Sequence, residues 1–234
     1  GITFSDEVVR RFAALKPAAK DFRVIWDNAY IVHDLNDTPD KLLNIFDEAE
    51  KYGSEDMFIE VISTSKISFA GGGISAVIAS DANIAEIKKR MSIQIISNDK
   101  INQLRHARYF KNLDGIKAHM KKQAAILKPK FDTVTDGFEK AFDGTGIASW
   151  KKPNGGYFIS LFVMNGCAKR VGQLCKEAGL TLTTVGATYP YGIDPDDSNI
   201  RIAPSYPDVD ELQKAVELLC ICVKLAAVEK LTEE

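Results

Sequence analysis

The chain has 234 residues, 45% of them hydrophobic and 26% charged, with a formal net charge of −2 and a pI near 6.0. That balance supports a globular core but lacks the basic surplus a polyphosphate partner demands, so nucleic-acid binding by this segment is excluded. No apolar run reaches about 18 residues, so no membrane span is expected and the cytoplasm is the expected location.

In chain order the pattern predicts helix, strand, helix, strand, strand, long helices and then a smaller αβ unit, which defines an α/β protein. Ser5 followed by Asp6 and Glu7 starts the first helix, and Thr38-Pro39-Asp40 starts another with a cap, an N1 proline and an early acid. Strands are expected at about 22–26, 58–62 and 74–80. Asp81 is expected to cap a helix to about 96, and 100–142 to form long helices broken near Lys128-Pro129. Gly155-Gly156 opens an alternating strand over Tyr157–Val163, followed by helix 168–178, strands near 180–184 and 199–203, and helix 208–230. The expected domains are residues 1–126, the C-terminal part of a large cofactor domain, and 127–234, a small C-terminal domain.

Three features carry chemistry. The apolar run Phe58–Ile62 ends in Ser63-Thr64-Ser65-Lys66 and is followed by Gly71-Gly72-Gly73. A lysine at the C-terminal mouth of a buried strand, flanked by hydroxyls and glycines, suits an aldehyde cofactor carrying a phosphate, and pyridoxal phosphate is the candidate. Upstream, Asp21–Trp26 reads as a short strand ending in Asp27-Asn28-Ala29-Tyr30. A carboxylate such as Asp27 beside a pyridine nitrogen keeps it protonated, and a phenol such as Tyr30 can bond the ring's 3-oxygen. The structural alternatives are a turn cap for Asp27 and a core aromatic for Tyr30. The third feature is Arg201 in Asn199-Ile200-Arg201-Ile202-Ala203-Pro204, a guanidinium fork in an apolar segment. Such a fork grips a carboxylate through two parallel hydrogen bonds, as an α-carboxylate substrate needs; a structural ion pair is the alternative.

Together these residues resemble the class I/II aminotransferases of the pyridoxal-phosphate fold-type I superfamily. Asp27-x-x-Tyr30 is similar to the family's pyridine site, Ser63–Lys66 to its cofactor-lysine motif and Arg201 to its carboxylate arginine, in the family's order. The runs Gly186–Gly192, Asp194-Pro195-Asp196-Asp197 and Asp99–His106 resemble a bacterial aspartate-aminotransferase-like branch, sometimes labelled alanine-glyoxylate aminotransferase. The resemblance implies a ping-pong exchange of an amino group between an amino acid, aspartate or alanine among the candidates, and a 2-oxo acid. It implies Lys66 as the catalytic residue, Asp27, Tyr30, Ser63, Ser65 and Lys66 as cofactor ligands, and Arg201 as the substrate anchor. A homodimer is implied as well. A β-lyase on the same scaffold, or the effector-sensing domain of an aminotransferase-like transcription regulator, would share these residues.

Two departures stand out. Ile74 occupies the position of the family's phosphate-gripping arginine, which leaves phosphate binding to hydroxyls such as Ser63 and Ser65, to backbone N–H groups and to residues elsewhere. The resemblance also begins only at the end of the family's Asn-Pro-x-Gly loop, so the expectation is a C-terminal portion, inactive without the N-terminal half. The remaining polar residues carry weaker signals. His33, His106 and His119 are scattered without metal-ligand spacing, so no metal is expected, and His106 reads as a solvated or capping residue. Cys167, Cys175, Cys220 and Cys222 are expected as buried reduced thiols. Lys100 and Arg105 are either a charged helix end or contacts to a distal carboxylate. Asn154-Gly155-Gly156 is either a substrate-side strand entry or a plain turn. Tyr189 and Tyr191 either line an entrance or pack.

Overall fold

A computed structural model of the chain describes residues 2–68 and 70–232. Its elements are α1 (Asp6–Ala13), β1 (Val24–Asp27), α2 (Ile45–Glu50), β2 (Phe58–Ser63), β3 (Ser75–Ala79), α3 (Asp81–Gln94), α4 (Lys100–Phe110), α5 (Leu113–Phe142), β4 (Ala148–Trp150), β5 (Ile159–Val163), α6 (Ala168–Glu177), β6 (Asn199–Ile202) and α7 (Val209–Thr232). The chain divides into two compact units. One comprises the described residues of 3–34 and 39–121; the other comprises 2, 35–38 and 122–232. The division at 121/122 and the expected boundary at 126 both fall inside α5, and the short segment 35–38 belongs to the C-terminal unit.

In the N-terminal unit β1 pairs parallel with β2, register Val24↔Phe58 to Asp27↔Val61, and β2 pairs antiparallel with β3, Ile59↔Ala79 to Ser63↔Ser75. The parallel register brings the C-terminal ends of β1 and β2 to one edge of the sheet. A core of Val9, Ala13, Trp26, Ile45, Ala49, Met57 and Phe58 joins α1 and α2 to the sheet. Ser5 caps α1 as expected, its hydroxyl accepting from the Val8 amide. Thr38-Pro39-Asp40 does not start a helix. Asp40 instead accepts from the Thr3 hydroxyl at 2.9 Å, residues 39–44 run irregularly, and Asn44 caps α2 by accepting from the Phe46 amide. Ser80, one residue before the expected Asp81, caps α3.

The largest departure is the helix break, which lies at Lys111-Asn112 rather than at Lys128-Pro129. Lys111 takes a left-handed φ of 64°, ending α4, and the Asn112 side chain accepts from the Gly115 amide to open α5. The corner is so tight that a Cβ at Gly115 would lie 1.8 Å from the Phe110 carbonyl oxygen. Pro129, by contrast, sits inside a continuous helix. Its missing N–H costs about 3 kcal/mol in an isolated helix. Here the following turns bury Phe131, Val134, Thr135, Phe138 and Phe142, and that packing outweighs the lost bond.

In the C-terminal unit β4, β5 and β6 form an antiparallel sheet in that order. Ile159, Leu161, Ile200 and Ile202 of the sheet, Phe138 and Phe142 of α5, Val171 and Cys175 of α6, and Val216, Leu219 and Val223 of α7 share one core. The strand expected at 180–184 is absent: the Leu180 amide bonds the Cys175 carbonyl as the end of α6, and Leu182 packs on the core without a ladder partner. β4, whose Trp150 packs edge-on to Phe138, went unforeseen. The four cysteines are buried and free. No helix of the described residues is long and apolar enough to cross a membrane.

Gly115→Ala should lower the unfolding free energy by about 2 kcal/mol or more, because a backbone carbonyl cannot yield to the new methyl group. Urea denaturation measures this, and an unchanged midpoint would show that the α4–α5 corner relaxes freely.

Candidate active site

Asp27, the last residue of β1, and Ser63, the last of β2, reach the same C-terminal edge because the two strands are parallel and adjacent. In open α/β sheets this edge collects ligands, since the loops leaving it carry side chains free of the ladder. Asp27 is exposed and one carboxylate oxygen accepts from the Ala29 amide at 3.2 Å, which folds the chain into the turn that carries Tyr30. Asn28 anchors that turn to β2, its amide donating to the Val61 carbonyl and its side chain to the buried Glu60 at 2.7 Å. Tyr30 is half-buried, its ring edge-on to His33 at 5.2 Å.

After β2 the chain makes a single turn, Thr64–Ser68, in which the amides of Ile67 and Ser68 both donate to the Thr64 carbonyl. Lys66 is exposed on this turn while its neighbour Ile67 is buried against Phe110 and Met120. The hydroxyls of Ser63 and Ser65 are 2.8 Å apart, and Ser63 Oγ also accepts from the Ser65 amide. Gly73 lies directly against this turn. A Cβ there would come within 2.8 Å of Ser65 Oγ and 2.9 Å of its amide nitrogen, so glycine is required for the returning chain to close on the turn. Thr64 then bonds Ile74 twice, its amide donating to the Ile74 carbonyl and its hydroxyl accepting from the Ile74 amide, both at 2.8 Å. Ile74 thus serves the turn through its backbone.

The three histidines of the chain converge on this turn, which their scatter in sequence concealed. His106 is buried, with Nε2 at 3.2 Å from the Thr64 hydroxyl and 2.9 Å from that of Ser68, so the expectation of a solvated or capping residue is wrong. The detectable signal was the spacing Asn102, His106, Phe110, one stripe of α4 and the buried set of that helix. His119 Nε2 lies 2.8 Å from the Ile67 carbonyl, to which it donates. Burial holds the His33 pKa below its usual 6.5; hydrogen bonding with the backbone of Lys66 and Tyr30 opposes this, and the Lys66 charge adds to it. Lys100 and Arg105 are exposed on α4.

Arg201 lies in the C-terminal unit on β6, paired across the ladder with Ser160. Its guanidinium stands over the Phe158 ring at 4.7 Å, and its Nε is buried with no hydrogen-bond partner among the described residues. No carboxylate among them forms a salt bridge with it. The ion-pair alternative therefore has no partner here, and a buried donor left open costs stability unless a ligand fills it. The strand is set in place by Asp194. Burial alone would raise its pKa, but the amides of Asn199, Ser198, Asp196 and Asp197 hold the carboxyl below the usual range. Asn199 Nδ2 adds a bond to Ser160 Oγ at 2.8 Å. Tyr191 is fully exposed with a φ of 59°, and Tyr189 is half-buried.

The N-terminal unit thus holds a mixed sheet whose parallel strands lead to the lysine turn, and the C-terminal unit an antiparallel sheet. The structure of LysN, an α-aminoadipate aminotransferase from Thermus thermophilus complexed with N-(5'-phosphopyridoxyl)-L-leucine, superposes with a TM-score of 0.70 at 15% identity, over 88% of this chain and 51% of that one, and so attests the fold. An aspartate transaminase from Corynebacterium glutamicum superposes with a TM-score of 0.93 at 44% identity, over 97% of this chain and 53% of that one. In sequence, the chain is 44% identical over 229 residues to an aspartate aminotransferase of the same organism, covering 98% of this chain and 53% of the relative. A family model described as "Aspartate amino-transferase" matches residues 1–234, and the chain belongs to that family. It spans about half the length of the curated relatives it matches.

Because the folded state holds His33 neutral, unfolded chains take up its proton more readily once the pH falls below 6.5. Stability should therefore decline from about pH 7 downward through that value toward the lowered native pKa, and His33→Phe should flatten this part of the profile. Urea titrations at stepped pH check it; an unaltered slope in the variant would remove His33 as the cause.

Proposed function

We propose that the chain carries the cofactor lysine and the carboxylate arginine of a pyridoxal-phosphate-dependent aminotransferase that exchanges an amino group between an amino acid, aspartate or alanine, and a 2-oxo acid. The observation that supports this reading most is the shared C-terminal edge of β1 and β2, which carries Asp27 and the Lys66 turn side by side in the sheet. The residues present fit the cofactor. Lys66 is exposed, the Asp27 carboxylate keeps an oxygen not engaged by the turn, and the paired hydroxyls of Ser63 and Ser65 lie where Gly73 lets backbone approach closely.

When bound, pyridoxal phosphate supplies the electron sink that stabilises negative charge at the substrate Cα. Lys66 would hold the cofactor through its aldehyde, and its amine would serve as the base that moves the Cα proton. Asp27 would hold the pyridine nitrogen in its protonated form, and Tyr30 would offer its hydroxyl to the ring's 3-oxygen. Ser63 and Ser65 contribute hydroxyls to the phosphate. Arg201, with its Nε open and its plane fixed over Phe158, grips the α-carboxylate and so orients the Cα–H bond. As the family resemblance implies, we extend the reading to a cytoplasmic homodimer whose activity also requires the part of the family's length that this chain does not span.

In the intact protein that carries this chain, borohydride reduction in the presence of pyridoxal phosphate followed by peptide mapping should label Lys66, and Lys66→Ala should lose the label. A label on another lysine would overturn the assignment. Asp27→Asn should slow turnover by about 10²-fold or more with a far smaller change in cofactor affinity, whereas Arg201→Lys should act mainly on KM for the amino acid, since a point charge cannot reproduce the fork. Stoichiometric glutamate from 2-oxoglutarate would distinguish transamination from elimination.

A further inference from the structure

The turn that displays Lys66 is not held by the sheet alone. It leaves β2 at Ser63 and returns at Gly73, and beside the contacts from His33 and from His119 and Met120 of α5 it is met by one stripe of α4. Asn102 Nδ2 donates to the Gly73 carbonyl at 3.1 Å, His106 meets the hydroxyls of Thr64 and Ser68, and Phe110 packs on Ile67. These residues are the buried positions of α4, spaced one turn apart.

We propose that His106 is the positioning residue for Lys66, locking the lysine's turn through hydrogen bonds that Nε2 accepts from the hydroxyls of Thr64 and Ser68. The inference rests on the reading of Lys66 as the cofactor lysine. Nδ1 lies 2.9 Å from the carbonyl of Asn102 in its own helix, and because a carbonyl only accepts, Nδ1 carries a proton. That bond fixes the ring's rotation and turns Nε2 toward the two hydroxyls, which flank Lys66 in the chain. Thr64 relays the constraint. Its hydroxyl also accepts from the Ile74 amide, so the same oxygen ties the outgoing and returning sides of the turn to the ring. Ser68 relays it in turn, its one hydroxyl proton shared between Nε2 at 2.9 Å and the Thr64 carbonyl at 3.0 Å. A lysine that must alternate between bonding a carbon and removing a proton needs its backbone fixed to within about 0.5 Å, and an exposed turn without such a lock does not meet that tolerance.

The test compares His106→Phe, which keeps an aromatic ring in the space beside Phe110 but removes both nitrogens, with His106→Gln, whose amide reaches the Nε2 position. The first measurement needs no cofactor: native-state hydrogen exchange in the intact apo-protein at the amides of Thr64, Ile67, Ser68 and Ile74. His106→Phe should exchange about tenfold or more faster there, with the amides of the β1–β2 ladder unchanged, and His106→Gln should recover most of the protection. In the loaded protein His106→Phe should lower kcat by about 10-fold or more with KM for the amino acid within about twofold, again largely recovered by glutamine. Unchanged exchange and kcat in the phenylalanine variant, or a glutamine variant as impaired as it, would overturn the lock. If His106→Phe does not fold, His106→Asn replaces it; its amide reaches only the Nδ1 position, and protection equal to that of glutamine would then refute the role of Nε2. Borohydride labelling of a lysine other than Lys66 in the unmutated protein would sink the functional reading while leaving the exchange result to stand by itself.

Discussion

Everything at the proposed site depends on the parallel pairing of β1 with β2. Had the short first strand run antiparallel to the second, its end would lie at the opposite edge, and Asp27 would be a strand length away from the Lys66 turn. The pairing is made firm just beyond its last register. Asn28 continues the ladder with its amide and, through its side chain, satisfies the buried carboxylate of Glu60. A buried acid in the centre of a sheet is expensive without such a donor, so the polar pair stabilises one register and penalises slippage by a residue. The chemistry proposed for Asp27 thus begins with the residue after it.

A second constraint is the corner between α4 and α5. α4 brings Asn102, His106 and Phe110 to the lysine turn, and α5 brings His119 and Met120 to it. Both are possible only because the chain reverses within Lys111-Asn112, with a left-handed residue, an asparagine cap and a glycine that lets helix meet carbonyl. The small cluster of Ile67, Phe110 and Met120 is modest in area, yet it buries the residue next to the exposed lysine. The turn is thereby divided: Ile67 is fixed inward and Lys66 is turned outward.

Most strands and most helices were legible in the sequence because their signals are local. Phe58–Ile62 is apolar enough to be a strand in any context, and Ser5 followed by acids caps a helix wherever it lies. Failures came where tertiary structure chose between competing local signals. Thr38-Pro39-Asp40 carries a good cap pattern, yet Asp40 engages Thr3 and Asn44 does the capping. Pro129 is a strong breaker, but the buried phenylalanines after it hold the helix together, while the weaker signals Asn112 and Gly115 mark the true corner. At the site, the proposal for Asp27, Lys66 and Arg201 comes from their residue types and order, which resemble a known chemistry. The histidines were not legible, since each lies far in sequence from Lys66 and only the folded chain makes their partners neighbours. Their roles depend on hydroxyls and carbonyls that no spacing in the linear sequence identifies.

Residues 35–38 have a topological consequence. Leu35 and Asn36 bond Asn154, 118 positions away in the case of Asn36, and Leu35 joins the core of the C-terminal unit, although the chain on either side of this segment belongs to the other unit. The C-terminal unit is therefore not a contiguous stretch of polypeptide. Severing the backbone within α5 would not yield a self-sufficient C-terminal piece, because that piece would lack the leucine that fills its own interior. The polypeptide thus passes from one unit to the other before residue 35, back after residue 38 and across again within α5, so a single protease cut at any one of these junctions leaves the two units joined by covalent chain at the others.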